Sequence, residues 1–256
     1  MSLDQLRSDF GLLTTVGADL NGQDLRNYDL TGGDFTLANL SNCDLRNTNM
    51  SGVVAPGAVF SGANMRRVDL QDARLQGAVL SGVDLSQSKL SRADLAHATL
   101  AGTNLARAQA DQLQAMNADF SGATCWGIDL SGALLHGATL TDALLVRATL
   151  NSAVANGAML RAVQLSAVTA NGFSAEAADL SGVVAYGAIF NGCNFRSADL
   201  NSSLLVACLL RSTQLQGASL ASVNASGSDF KNADVTGADL TNAQLPDDFS
   251  SSVIGL

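Results

Sequence analysis

From Leu20 to Leu245 every fifth residue belongs to one series, and nothing is inserted or deleted along it. Of its 46 centres, 36 are Leu, Phe or Met, so the period rather than local propensity decides the architecture. The exceptions are Ala55, Ala110, Ala115, Cys125, Ala155, Ala170, Ala175, Ala185, Ala225 and Val235. Two places before a centre the residue is small, with Ala at 24 of the 46 positions. Two places after it stand 20 of the chain's 24 glycines, which ties glycine to the repeat.

Residues two apart in an extended segment point the same way, so a centre and the small residue before it share one face. The residue between them points outward, and there the chain places Asp 15 times. The two remaining positions are polar or Gly and suit a corner, where Gly tolerates positive φ. A period of five would spiral apolar residues around a 3.6-residue helix, so a helical reading fails. Only stacked coils bury the inward residues and pair the backbone. The expected fold is all-β, a solenoid of short sides. With 47% apolar residues but only 5% aromatic ones, the composition suits a narrow interior that holds Leu and Ala better than rings.

Units such as ADLAH (93–97), CNFRS (193–197) and ADLTN (238–242) resemble the A(D/N)LXX signature of the pentapeptide repeat family. The resemblance implies a right-handed quadrilateral parallel β-helix of four pentapeptides per coil, hence about 11–12 coils. Arg26, Arg46 and Arg66 recur at the spacing of such a coil. The expected organisation is an N-terminal cap over 1–17, the β-helix over 18–245 and a C-terminal cap or tail over 246–256. In the first segment Ser2 and Gln5 match a capping box, and Leu3, Leu6, Phe10 and Leu13 share one face of a short helix. In the last, Pro246 ends the repeat, and Phe249, Val253 and Ile254 are placed to fold over the final coil.

The stretch SGVVAPGAVFSGANM (51–65) returns as SGVVAYGAIFNGCNF (181–195), with alanine centres at 55 and 185. Where a centre shrinks, its small partner grows: Val53 with Ala55, Leu113 with Ala115, Val168 with Ala170, Phe173 with Ala175, Val183 with Ala185, Val223 with Ala225. Interiors are packed near crystal density, so volume lost at one inward site is refilled at its neighbour.

Little here points to catalysis. Cys43, Cys125, Cys193 and Cys208 all fall on inward positions and read as core thiols in a reducing compartment. There is no CxxC, and His97 and His136 lack ligand partners at usable spacing, so no metal or cofactor is expected. No nucleophile-elbow, zinc-protease or phosphate-loop pattern occurs, so the chain reads as a non-enzyme. Residues 1–17 carry Asp4, Arg7 and Asp9 and do not read as a secretory signal, and no apolar run is long enough to span a bilayer. The expected location is the cytoplasm, or outside it by a route that needs no classical signal.

Two kinds of partner remain. The first is a protein, or a second copy of this chain, bound along one side of the rod. Under a 20-residue coil, Trp126, Val146, Tyr186 and Val206 fall in line, flanked by Leu144, Val184 and Leu204. Contiguous apolar patches usually mark interaction sites. The second follows from the resemblance: some family members bind DNA gyrase as mimics of DNA. Net charge is −9, and outward carboxylates such as Asp24, Asp44, Asp69, Asp84 and Asp129 form the candidate acidic surface. With Lys89 and Lys231 the only lysines, direct nucleic-acid binding is not expected.

Overall fold

The computed structural model describes residues 15–256. The reading of a helical cap at the N-terminus therefore lies outside the described residues, apart from 15–17, which already form the first corner of the solenoid. Thr15 is buried, its N–H donates to Asp34 O at 2.7 Å, and Ala18 N–H closes the corner onto Thr15 O at 2.9 Å.

Parallel bridges join each outward residue to the one 20 positions on, from Asp19–Asn39 to Asn224–Gln244. One coil is thus four pentapeptides, and the molecule is a four-sided parallel β-helix. Each side has a single bridged residue. Its neighbouring amides donate forward, as from Leu20 N–H to Asn39 O at 2.8 Å, and the bridged amide donates back, as from Asn39 N–H to Ala18 O at 2.9 Å. The four faces are numbered by their centres: the first runs through Leu25, Leu45 and onward in steps of 20, the second through Leu30, the third through Phe35, the fourth through Leu20 and Leu40.

At the corners the amide three residues after a centre donates back to that centre's carbonyl, as from Gln23 N–H to Leu20 O at 3.1 Å. Every residue two places after a centre, from Gly17 to Asn242, has positive φ, as the third residue of a type II turn requires. That geometry explains why glycine recurs there. Leu37 (φ 57°), Arg107 (φ 59°) and Ala177 (φ 53°) accept it nonetheless, held by the ladders on both sides.

Centres and their small partners fill the interior from end to end. Val53 with Ala55 and Val183 with Ala185 are all buried, so the size exchange between neighbours occurs inside the core. Phe173, opposite the alanine centre at 175, packs edge-on against Phe195, which also meets Phe190. At several inward polar positions the hydroxyl donates to the carbonyl 23 residues back, Thr48 to Leu25 O (2.6 Å), Thr103 to Leu80 O (2.8 Å) and Ser203 to Leu180 O (3.0 Å), whereas Thr213 donates to Leu210 O within its own corner. Ser88 occupies the same kind of site, but its buried Oγ has no partner. Removing an unsatisfied buried hydroxyl relieves its desolvation penalty, so Ser88→Ala should raise stability by about 1 kcal/mol. Chemical denaturation of Ser88→Ala beside Ser203→Ala, which loses a hydrogen bond and should be destabilised, checks this; a destabilised Ser88→Ala refutes it.

The C-terminus closes part of the last coil. After Pro246, helix α1 (Phe249–Ser252) sets Phe249 edge-on against Phe230 at 5.1 Å and leaves it 4% exposed. The chain then extends, and Ile254 bridges Asp234, with Ile254 N–H to Ala233 O at 2.8 Å and Val235 N–H to Ile254 O at 2.9 Å. The Ile254 side chain remains exposed; its backbone does the covering. Gly255 sits at φ 79°, where a Cβ would come within 2.9 Å of the Thr236 Cα, so this last step admits no side chain.

Candidate interaction surface

The outward carboxylates are more than hydrated surface. In face after face the Asp before a centre accepts the backbone N–H two residues on, from the first corner residue: Arg26 N–H to Asp24 (3.2 Å), Gln71 to Asp69 (3.1 Å), Ser86 to Asp84 (2.9 Å), Ser131 to Asp129 (3.0 Å). Asp thus satisfies a corner amide that the ladder leaves free, the job an Asx turn performs. Side chains add to it: Thr36 donates to Asp34, and Arg26 and Arg46 fork onto Asp24 and Asp44.

These bonds hold carboxyls in the ionised form. The Arg26 side chain lowers Asp24 to about 2, and Arg46 lowers Asp44. The Thr36, Thr236 and Thr241 hydroxyls, each with its backbone amide, lower Asp34, Asp234 and Asp239. A depressed carboxyl stabilises the fold at pH above its unfolded value, near 3.9, and that contribution fades as pH falls through the folded value. The melting temperature should therefore hold from neutral pH down to about pH 4 and drop between about 4 and 2. A melting series that already declines between pH 7 and 5 would contradict this.

The five candidate acidic residues do not share one patch. Asp24, Asp44 and Asp84 lie on the first face, Asp69 and Asp129 on the second. Asp24 and Asp44 are ion-paired with Arg26 and Arg46, and Asp69 with Lys89. The fourth face is the acidic one: among the described residues Asp19, Asp119, Asp142, Asp179, Asp199 and Asp239 stand there with Arg161 as the one cation.

The first face divides along the rod. Toward the N-terminus it carries Arg26, Arg46 and Arg66, and Arg46, Asn47, Arg66 and Arg67 line a shallow recess. Toward the C-terminus the bridge ladder runs Thr124, Leu144, Gln164, Val184, Leu204, Asn224. Beside it runs the corner column Trp126, Val146, Ser166, Tyr186, Val206. Leu144 is 42% and Tyr186 49% exposed; Trp126, Val146, Val184, Leu204 and Val206 are half-buried. The structure therefore gathers all seven sequence-derived candidates on one flat side, interrupted only by Gln164 and Ser166. Other faces also carry outward apolar pairs, Val59–Val79, Leu134–Val154 and Ile189–Leu209, but the corner residues beside them are polar.

Two features of this strip escape a reading of the repeat. The Arg107 guanidinium lies 4.6 Å from the Trp126 ring centroid, which fixes the ring and covers one of its faces. Beneath Tyr186 and Val206 side-chain bonds replace backbone corner bonds. Cys208 Sγ donates to Ala185 O at 2.8 Å, Ser228 Oγ donates to Leu205 O, and Cys208 N–H turns to Ser228 Oγ at 2.8 Å. Cys208 is thus an inward support of the strip. All four cysteines are buried free thiols, and burial raises each of them, Cys125 and Cys193 to about 12. Among the described residues no cluster of His, Cys, Asp or Glu is placed to hold a metal ion, and no helix is long and apolar enough to cross a membrane.

A four-sided parallel β-helix whose 20-residue coils are built on an unbroken five-residue period defines a class of repeat solenoids. The chain belongs to the pentapeptide repeat family: the model of pentapeptide repeats matches residues 16–52, 51–82, 78–112, 116–151, 129–169, 176–206 and 208–245. No curated protein matches it. Among solved structures it is similar to HetL, a pentapeptide repeat protein involved in heterocyst differentiation regulation from the cyanobacterium Nostoc sp. strain PCC 7120. The identity is 26% over 94% of this chain and 92% of that one, with a TM-score of 0.40. It also resembles a trypsin-treated form of QnrB1, a plasmid-mediated fluoroquinolone resistance protein, at 19% identity over 93% of each chain and a TM-score of 0.27. A third is a pentapeptide repeat protein of the Arabidopsis thaliana thylakoid lumen, at 27% identity over 48% of this chain and 71% of that one, TM-score 0.21.

Proposed function

We propose that this protein is a non-enzymatic rigid scaffold that docks a protein partner, or itself, along the C-terminal half of its first face. The observation that carries the reading is the ladder from Leu144 to Leu204 with Tyr186 beside it. Leu144 and Tyr186, exposed by two-fifths to a half, stand there with the half-buried Val184 and Leu204 on a backbone that cannot rearrange to hide them. Trp126 and Tyr186 are of the types that most often anchor interfaces, and Arg107 already restrains the first. The buried free thiols fit a reducing compartment, the cytoplasm.

Hydroxyl-radical footprinting tests the reading without a named partner. Trp126 and Tyr186 should label strongly in dilute purified protein and be several-fold protected in native extract, with Tyr28 as internal reference. Equal labelling in both settings would refute it.

A second reading is favoured by the fourth face, whose C-terminal half gathers Asp119, Asp142, Asp179, Asp199 and Asp239 into a negative field of the kind that attracts phosphate-binding cations. In that reading the rod occupies the DNA groove of gyrase. A supercoiling assay with the purified protein, with and without a fluoroquinolone, separates the two: an unchanged rate in both arms leaves the scaffold reading alone.

A further inference from the structure

We propose that the first face is self-complementary row by row, and that two copies of the chain pair side by side and parallel through it. The inference rests on the reading of this face as a docking surface and names its occupant as a second copy. In such a pair the two-fold axis runs along the rod, so each coil meets the same coil of its copy. The bridged column of one copy then faces the corner column of the other.

The rows agree in chemistry along the rod. Arg26 and Arg46 meet the Asp24 and Asp44 of the second copy, whose carboxylates already accept Arg forks within one chain. Arg66, for which Asn64 is the neighbour in its own row, meets an amide, and Ser86 meets Asp84. Val146 meets Leu144, Tyr186 meets Val184, and Val206 meets Leu204. The polar row inside the strip meets itself, Ser166 against Gln164, so neither is buried against an apolar side chain. Trp126 lies over the Thr124 methyl. Beyond the strip Ser226 meets Asn224 and Pro246 meets Gln244.

An antiparallel pair centred on the Gln164 row also matches apolar to apolar. It leaves the Arg26, Arg46 and Arg66 rows overhanging and shortens the contact, so parallel pairing uses more of the face. Coils about 4.8 Å apart and a side roughly 10 Å wide give about 550 Å² per copy over the full rod. About 1,100 Å² in total just clears what a specific interface needs, so the pair should be weak and concentration-dependent.

The native thiols are buried, so single introduced cysteines report orientation. Ala106→Cys and Ser226→Cys would each be treated with a short bis-maleimide at high and low protein concentration, beside Ser81→Cys on the fourth face as control. Parallel pairing is expected to link each first-face variant to itself at least tenfold faster than the control. The advantage should disappear on dilution and on addition of Tyr186→Glu. Linking only in a mixture of Ala106→Cys with Ser226→Cys would mean an antiparallel pair and overturn the proposed arrangement, while leaving the docking face in place. Linking no faster than Ser81→Cys in any mixture, with light scattering giving one chain at all concentrations, would overturn self-pairing. Footprinting in extract would then stand as the separate test of a different partner.

Discussion

Leu95→Ala will lower stability by roughly 2–5 kcal/mol, with Leu140→Ala in the same range. Both side chains are almost fully buried, Leu95 at 0% and Leu140 at 2% exposure, and each packs between the centres of the coils above and below. The ladders fix the coil spacing, so the core cannot collapse into the gap, and the cavity term comes on top of the lost transfer energy. The reverse change at an alanine centre should also destabilise. Ala55→Leu adds volume beside Val53, itself fully buried, and overpacking typically costs about 1–3 kcal/mol. Denaturation of Leu95→Ala and Ala55→Leu side by side checks both signs. A stabilised Ala55→Leu would refute the exchange of volume between neighbouring inward positions.

Phe249→Ala should cost about 3–5 kcal/mol in the last coils, the usual range for a buried Phe. Phe249 is the large side chain that α1 lays against Phe230, and the bridge from Ile254 to Asp234 follows it in the chain. Without that anchor the final segment loses its hold on the last coil, and unpaired backbone there becomes an edge open to other chains. Because coils contact only their neighbours, the loss should stay local at first. Amide exchange should quicken at Val235 and Ile254 well before it does at Leu140, and the variant should aggregate on warming. Uniform exchange along the rod would show that the cap is not what holds this end.

The five-residue period made the inward and outward positions legible throughout, because alternation in extended chain leaves no other way to bury Leu and Ala together. The four-sided coil came through family resemblance, with Arg26, Arg46 and Arg66 as the hint; the bridges from each outward residue to the one 20 positions on now establish it. The apolar strip was legible for the same reason, since residues 20 apart stack. The job of the outward Asp was missed, although Asp34 with Thr36 and Asp129 with Ser131 carry its signature, an acceptor two residues before a donor. Contacts that join unlike positions of successive coils were out of reach. Arg107 over Trp126 and Cys208 on Ala185 depend on side-chain direction at a corner, which the repeat does not encode. The tail lay beyond the period altogether, and its hold on the last coil depends on where the last coil places the Phe230 ring and the Asp234 backbone.

The most direct test of a rod that works through its side is small-angle X-ray scattering over a wide concentration range. The expected particle is about 55–60 Å long at low concentration, from coils about 4.8 Å apart. With rising concentration its mass should approach that of two chains while the longest dimension stays nearly constant and the cross-section widens. Mass that stays at one chain throughout would contradict self-pairing and leave the first face to a different partner, whereas a longest dimension that doubles along with the mass would contradict the account by showing that the ends rather than the first face bring copies together.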